Sequence, residues 1–350
     1  MNKCRHILCG ILIVMLTSSL SAQYSHWEIG VNGCYSMPNN FNMMEYATGA
    51  AGMDVTWLKR SVGDEYWQLY RHYPTFGVRG SFLYIPGAIY GHRFGIEGLV
   101  RAPLGKRLDY NIGFGLSAFT RPQYFTGDAE NIFISSVVSC LIDVGLNYRV
   151  GEKLVFNASM LHSSNGMLLR PNKGLNILQF GVAVKLGNEY ERTLDWIHAR
   201  ERITDATPER NHEWGVAFSG GTVMSRDESD EGYHFCYDLS LYYQRYVTPV
   251  FAYGGALDFW YNNDDASGAG AYAYSLPLYF SAMGVMEFFW GPISLKAGVG
   301  PVLLGSYHID LPIYERVGVY YNFGRNFTGV ALNAHLGRIE FIEFTFGRRF

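Results

Sequence analysis

Charge is scarce in this chain of 350 residues: Asp, Glu, Lys and Arg make up 17%, against about 25% in an ordinary soluble protein. The formal net charge is −3 and no basic stripe runs through the sequence, which disfavours nucleic acid as a partner. Past the N-terminal segment no apolar run is long enough for a transmembrane helix, which needs about 20 residues. Cysteine is rare too. Cys34, Cys140 and Cys236 are an odd number beyond that segment, far apart and without metal-ligand spacing, so neither a disulfide framework nor a zinc centre is indicated. No metal and no cofactor is expected.

Aromatic residues and glycine are what the chain has in quantity: 26 Tyr, 23 Phe, 7 Trp and 40 Gly. Abundant aromatics and glycine without a helical span fit a transmembrane β-barrel, whose strands alternate apolar and polar residues and carry aromatic girdles. Residues 1–22 read as an export signal, with Lys3 and Arg5 before an apolar core from Ile7 to Leu16 and small residues after it. Cleavage is expected after Ser21 or Ala22. Phe344, Phe346 and Phe350 share one parity in the last stretch, as on a strand with one apolar face. A final strand ending in Phe resembles the recognition signal of bacterial outer-membrane barrels, which implies the barrel-assembly machinery as a partner. The expected location is therefore the outer membrane of a Gram-negative bacterium.

Period-2 alternation predicts about sixteen antiparallel strands, near 25–37, 50–58, 75–85, 92–102, 107–119, 132–148, 153–164 and 174–187, then 212–224, 232–246, 249–262, 274–289, 293–304, 312–322, 328–336 and 339–350. Between the two sets lies a charge-rich stretch, 188–211, that reads as a linker or a long periplasmic turn. Short connections such as 103–107, 150–153 and 290–292 alternate with longer polar ones such as 121–131, 165–174 and 263–273. Barrels of this class keep short turns in the periplasm and longer loops outside. The scheme strains at 59–73, which it makes periplasmic although it is long. The organisation is thus 1–22 signal, 23–187 first half, 188–211 connection and 212–350 second half. Sixteen strands fit one large barrel, or an eight-stranded barrel plus a second β unit; the single barrel is the working expectation.

One stretch carries chemistry. In 153–166, Leu154, Phe156, Ala158 and Met160 have the lipid-facing parity, and His162 and Ser164 continue that column although they are polar. A hydroxyl and an imidazole two residues apart on one face suit a serine activated by a histidine base. The return strand presents Leu178, Phe180, Val182, Val184 and Leu186 on its lipid face, and Asn176 shares their parity. In a hairpin whose loop centres near Leu169, His162 and Asn176 stand opposite one another.

His162, Ser164, Asn165 and Gly166, followed by Pro171, Asn172, Gly174 and Asn176, resemble the signature of the lipid A 3-O-deacylase (acyloxyacyl hydrolase-like) family, His-x-Ser-Asn and then Pro-Asn-x-Gly. The resemblance runs from about Trp67 to Leu186, and the later half is similar to the long, two-part forms found in the Bacteroides group. It implies an outer-membrane barrel with a serine esterase site on its lipid-facing wall and lipid A (lipopolysaccharide) as substrate. It makes Ser164 the nucleophile, His162 the general base and Asn165 part of the oxyanion hole. The sequence departs from the family at the third triad position, where the best-described members have a glutamate and this chain has Asn176. Asparagine orients a histidine but offers no charge to the imidazolium, and in a protease triad the change from Asp to Asn lowers turnover by ~10⁴. Arg121, Arg170 and Lys173 fall in the outer loops, as lipid-phosphate contacts or as plain surface charges.

Other motifs carry less. His212 and Glu213 make no metal geometry, the acidic stretches at 227–231 and 262–265 read as solvated loop tips, and Gly298 and Gly300 precede no helix that would make a nucleotide loop. The functional expectation is a lipid A esterase. The rival is a non-catalytic outer-membrane barrel, whether structural, lipid-binding or a pore.

Overall fold

The computed structural model describes residues 25–38, 45–61, 65–187, 211–225, 232–262, 277–305, 313–335 and 338–350. The export signal, the connection 188–210 and the acidic tip 227–231 lie outside these residues. Among the described residues sixteen antiparallel strands form, and they close into two barrels of eight rather than one of sixteen. The first contains β1 (Ser25–Pro38), β2 (Thr48–Arg60), β3 (Thr75–Tyr84), β4 (Arg93–Pro103), β5 (Leu108–Phe119), β6 (Val138–Val150), β7 (Leu154–Ser164) and β8 (Leu175–Leu186). The second contains β9 (His212–Met224), β10 (Tyr233–Thr248), β11 (Phe251–Asn262), β12 (Leu278–Trp290), β13 (Ile293–Leu304), β14 (Ile313–Phe323), β15 (Asn326–His335) and β16 (Arg338–Arg349).

The single-barrel expectation is corrected by register. β8 pairs back onto β1 from Trp27↔Leu186 to Pro38↔Leu175, and β16 onto β9 from Ile342↔Thr222 to Arg349↔Gly215. Alternation along a strand says that a sheet has two unlike faces, but not which strand completes it. Closure twice over leaves neither sheet with an exposed edge, a condition the hydrocarbon core of a membrane imposes.

Both barrels are inside-out relative to a soluble protein. On β10 the outward residues Tyr233, Phe235, Tyr237, Leu239 and Leu241 are exposed, whereas His234, Cys236, Asp238, Ser240 and Tyr242 are buried. Such a wall is stable only in lipid. The interiors hold paired charges, as groups removed from water must. In the first barrel Arg79 meets Glu97 at 2.9 Å and Asp143 at 2.5 Å, and Arg101 meets Glu28 at 2.7 Å. In the second, Arg316 meets Asp238, Asp258 at 3.2 Å and Glu343 at 3.0 Å, while Glu287 takes Arg349 at 2.8 Å and Lys296 at 3.1 Å.

The ends of the barrels differ. The long connections β3–β4, β5–β6 and β7–β8 gather at one end of the first barrel, here the loop end. The short ones gather at the other, the turn end. The strand expected to start at 132 starts at Val138 instead. Residues 132–137 fold over the loop end, where Asn131 accepts the Ile134 N–H on Oδ1 (3.2 Å) and gives its amide to the Arg121 carbonyl (2.8 Å). Phe133 and Ile134 thereby join a buried cap with Tyr90, Phe119, Leu161 and Leu175. The connection that strained the sequence scheme, β2–β3, carries a short helix, α1 (Tyr66–Tyr70).

Candidate functional site

The wall-facing column of β7 is apolar until its last turn. Leu154, Phe156 and Met160 are exposed, and the alternate residues Val155, Leu161 and Ser163 are buried. Since side chains alternate along a strand, His162 and Ser164 belong to the outer wall. Register puts Asn176 of β8 directly opposite His162, and paired residues on one face of an antiparallel sheet stand about 5 Å apart at Cβ. His162 Nδ1 and Asn176 Oδ1 are 2.8 Å apart. With an amide oxygen facing it, Nδ1 carries the proton and Nε2 is the basic nitrogen. Among the described residues, Nε2 has no hydrogen-bond partner.

Ser164 ends the strand and is 5% exposed. Its Oγ accepts two hydrogen bonds, from Asn172 Nδ2 at 2.7 Å and from the Gly166 N–H at 3.2 Å. It therefore points at the β7–β8 loop and not at His162. A turn about χ1 to another staggered well is what would carry Oγ towards the imidazole. Catalytic hydrogen bonds in a site without substrate are often long or misaligned and tighten in the complex.

The loop from Asn165 to Gly174 is built around these atoms. Asn165 does not turn its side chain to Ser164. Its amide goes to Ser135 Oγ (2.8 Å) and the Leu169 carbonyl (2.9 Å), while its backbone N–H faces Asn172 Oδ1 at 3.4 Å. Asn165 thus orients Asn172, and Asn172 with Gly166 supplies the donors at the hydroxyl. Gly174 has φ 71°, and a Cβ there would lie 3.0 Å from His162 Cε1 and 3.4 Å from Nε2. Only glycine suits both the backbone and the space beside the ring. Asn172 and Gly174 stand in the sequence motif, but their roles were not legible there, because a Pro-Asn-x-Gly run looks like ordinary turn chemistry.

Of the three expected cations, Arg121 and Lys173 are exposed. They share a rim because the two loops are stitched together: the Lys173 N–H donates to the Ile132 carbonyl (3.0 Å) and the Gly174 N–H to the Phe133 carbonyl (3.2 Å). Arg121 precedes α2 (Gln123–Thr126), where Tyr124 and Phe125 are 68% and 67% exposed, as aromatic anchors at a membrane surface are. Arg170 is half-buried, and its backbone N–H lies 3.3 Å from Met224 Sδ of the second barrel.

Two family profiles match the chain. The profile for lipid A 3-O-deacylase (PagL) matches residues 52–185, and that for the C-terminal domain of acyloxyacyl hydrolase matches residues 212–350. Among solved structures, the crystal structure of the outer membrane enzyme PagL is 16% identical over 44% of this chain and 98% of its own, with a TM-score of 0.29. A de novo designed transmembrane β-barrel is 11% identical over 46% of this chain and 95% of its own, with a TM-score of 0.28. Ail, the attachment invasion locus protein of Yersinia pestis, is 13% identical over 47% and 99%, with a TM-score of 0.27. No curated protein matches the sequence significantly.

Proposed function

This chain belongs to the lipid A 3-O-deacylase family of Gram-negative outer-membrane barrels, and we propose that it is a serine esterase in which Ser164 and His162 remove an ester-linked acyl chain from lipid A. The observation that carries this reading is the free Nε2 of His162. The hydrogen bond from Nδ1 to Asn176 (2.8 Å) fixes the tautomer, and Nε2 stays unpartnered in the same wall column as the Ser164 hydroxyl. A polar column on a lipid-facing wall costs free energy and is retained where it has a use. The family glutamate is replaced by an amide that keeps the orienting hydrogen bond and gives up the charge.

The reaction then runs in two halves. Ser164 Oγ turns towards His162, gives its proton to Nε2 and attacks the acyl carbonyl. The Gly166 N–H and Asn172 Nδ2, which the hydroxyl leaves behind, stand next to the reacting carbon and donate to the developing oxyanion. Collapse breaks the bond to the sugar oxygen, which takes the proton from His162 and departs as an alcohol. In the second half, His162 draws a proton from water, the hydroxide attacks the acyl-serine, and the fatty acid leaves as Ser164 recovers its proton. Arg121 and Lys173 on the rim attract the phosphates of the substrate. A pore finds no support in the interiors, where the Arg79 and Arg316 networks cross the lumens.

The test is lipid A mass spectrometry on outer membranes that contain wild type or Ser164→Ala. Wild type is expected to produce species lacking one acyl chain and the variant to leave lipid A fully acylated. Identical acylation in the two strains under several growth conditions would sink the esterase.

A further inference from the structure

The two barrels touch at both ends, and each contact is made over a glycine in the left-handed region. At the loop end, Gly166 (φ 61°) of the first barrel lies so close to β16 that a Cβ would fall 2.2 Å from Ile342 Cγ1. At the turn end the roles reverse. Gly291 (φ 64°) of the second barrel lies against the Trp67 ring on α1, where a Cβ would fall 2.8 Å from Cε2. Burial agrees: Ile342 shares the outward column of Phe344 and Phe346, yet it is 6% exposed where they are 71% and 56%. Two apolar walls gain little hydrophobic free energy by meeting in lipid, so association rests on small residues that admit close approach and on hydrogen bonds.

The loop-end contact continues past Gly166. Met167 has φ 66°, a conformation that residues with a Cβ rarely adopt. The second barrel holds it there. The Met224 N–H donates to the Met167 carbonyl at 3.1 Å, and the Met167 side chain packs against the interior cluster of the second barrel. A strained turn persists only where its surroundings over-determine it, and here the other barrel adds to the loop's own bond from the Leu168 N–H to the Asn165 carbonyl (3.3 Å). This is the turn whose Gly166 N–H meets Ser164 Oγ.

We propose that the second barrel is a positioning domain for the esterase: docked at two points, it holds the turn after Ser164 in the pose that aims the Gly166 N–H at the nucleophile. The inference rests on Ser164 being that nucleophile. Met167, Met224 and Ile342 act through Gly166 and touch no reacting atom. At the turn end, Arg71 adds a hydrogen bond to the Val250 carbonyl (3.0 Å) and lies 4.9 Å over the Trp290 ring, which sets the angle between the barrels a full strand length from the chemistry.

That distance makes the test clean. Gly291→Asn keeps the left-handed turn, which Asn tolerates, while pushing atoms into the Trp67 ring. The full-length protein in detergent is treated with a serine-directed fluorophosphonate, and both the rate and the final extent of labelling are recorded. The expected result is a rate lower by about tenfold to a hundredfold, as for a nucleophile displaced by a fraction of an ångström, with the final extent unchanged. Adding Trp67→Ala to the same chain vacates the space and restores the rate, and kcat on lipopolysaccharide falls and recovers with it at unchanged KM. A wild-type rate in Gly291→Asn, or a reduced final extent that Trp67→Ala does not rescue, overturns the positioning role. Ser164→Ala separates the two ideas. If it labels like wild type, the esterase reading itself fails; if it abolishes labelling while Gly291→Asn reacts normally, the positioning role alone fails.

Discussion

On its outer wall the second barrel presents Trp214, Val216 and Phe218 from β9 and Phe344 and Phe346 from β16. The first barrel starts the same way on β7, with Leu154, Phe156 and Met160 exposed, and then turns polar at His162 and Ser164 with Asn176 alongside. The interiors differ in the opposite sense. The second is packed with aromatic rings around its ion pairs, Trp260 stacking on Tyr279 at 3.8 Å, and keeps a cavity of about 20 Å³. The first opens at its turn end into a chamber of about 610 Å³ lined by Arg60, Arg101, Arg107, Arg149 and other charged groups. Polar residues inside a barrel are what closure in lipid demands, and they are satisfied by one another. Polar residues on the outside answer to no such demand, so the odd column on the wall, and not the conspicuous networks of the lumen, is where chemistry is to be sought.

The sharpest way to break that contrast is to remove the hydroxyl. Ser164→Ala is expected to lower kcat by about 10⁴-fold or more, as loss of a serine nucleophile does, while both barrels remain folded; turnover of purified protein on lipopolysaccharide measures it. Next in size are the lumen networks, where the expected effect is on stability. Arg316 pairs with Asp238, Asp258 and Glu343, and Arg79 pairs with Glu97 and Asp143. Removing one member of a buried pair strands its partners at a cost of about 3–5 kcal/mol. Arg316→Met and Arg79→Met should each fall in this range, with Arg316→Met the worse because it strands three carboxylates. Denaturant unfolding in detergent, followed by tryptophan fluorescence, reads both. Equal stability of Arg316→Met and wild type would mean that the network is not what holds the second barrel closed.

The wall column was legible in the sequence because two periodicities coincide there: polar side chains fall on a parity otherwise apolar, and the hairpin places position 176 opposite position 162. The strands were legible for the same reason, and β9 and β13 begin and end where alternation does. What alternation does not encode is which strand closes the sheet, and hence two barrels stood where one was expected. Nor does it encode tertiary contact in loops. Residues 132–137 read as the start of a strand but fold into the cap because Asn131 turns the chain. The length of the β2–β3 connection does not fit the turn end by loop length alone; its α1 lies against the second barrel, with Trp67 over Gly291. The resemblance makes Asn165 part of the oxyanion hole; in the structure its side-chain amide meets Ser135 and the Leu169 carbonyl, and Asn172, eight residues from Ser164 in sequence, lies nearer the hydroxyl.

Asn176 is where the sequence departs from the glutamate that the family resemblance implies. Asn176→Ala removes the acceptor at His162 Nδ1 (2.8 Å) and frees the ring to turn or change tautomer. Losses on disturbing the third residue of a triad reach ~10⁴ where a charge is involved. An amide contributes orientation alone, so a loss of roughly 10²-fold in kcat with little change in KM is expected. Asn176→Glu keeps an acceptor and adds the missing charge, and should raise kcat above wild type. A faster Asn176→Ala enzyme would show that the amide does not orient the base.

The smallest effect belongs to the rim. Arg121 and Lys173 are exposed on two loops held together by the Lys173 N–H on the Ile132 carbonyl. Each carries its charge in high dielectric, where single ion pairs are weak and salt screens them within about 10 Å. Charge-neutralising changes, Arg121→Gln and Lys173→Gln, should therefore leave kcat alone and raise KM for lipopolysaccharide by about two- to fivefold, an effect that shrinks as ionic strength rises. The double variant should be roughly the product of the two, since both cations face the substrate independently. The second barrel supplies the control: Arg245, exposed at its turn end, is remote from the rim, and Arg245→Gln should not move KM at any salt concentration. If the rim variants and the Arg245 variant behaved alike, the loop cations would be surface charge and nothing more, and recognition of the phosphorylated headgroup would have to come from elsewhere on the loops.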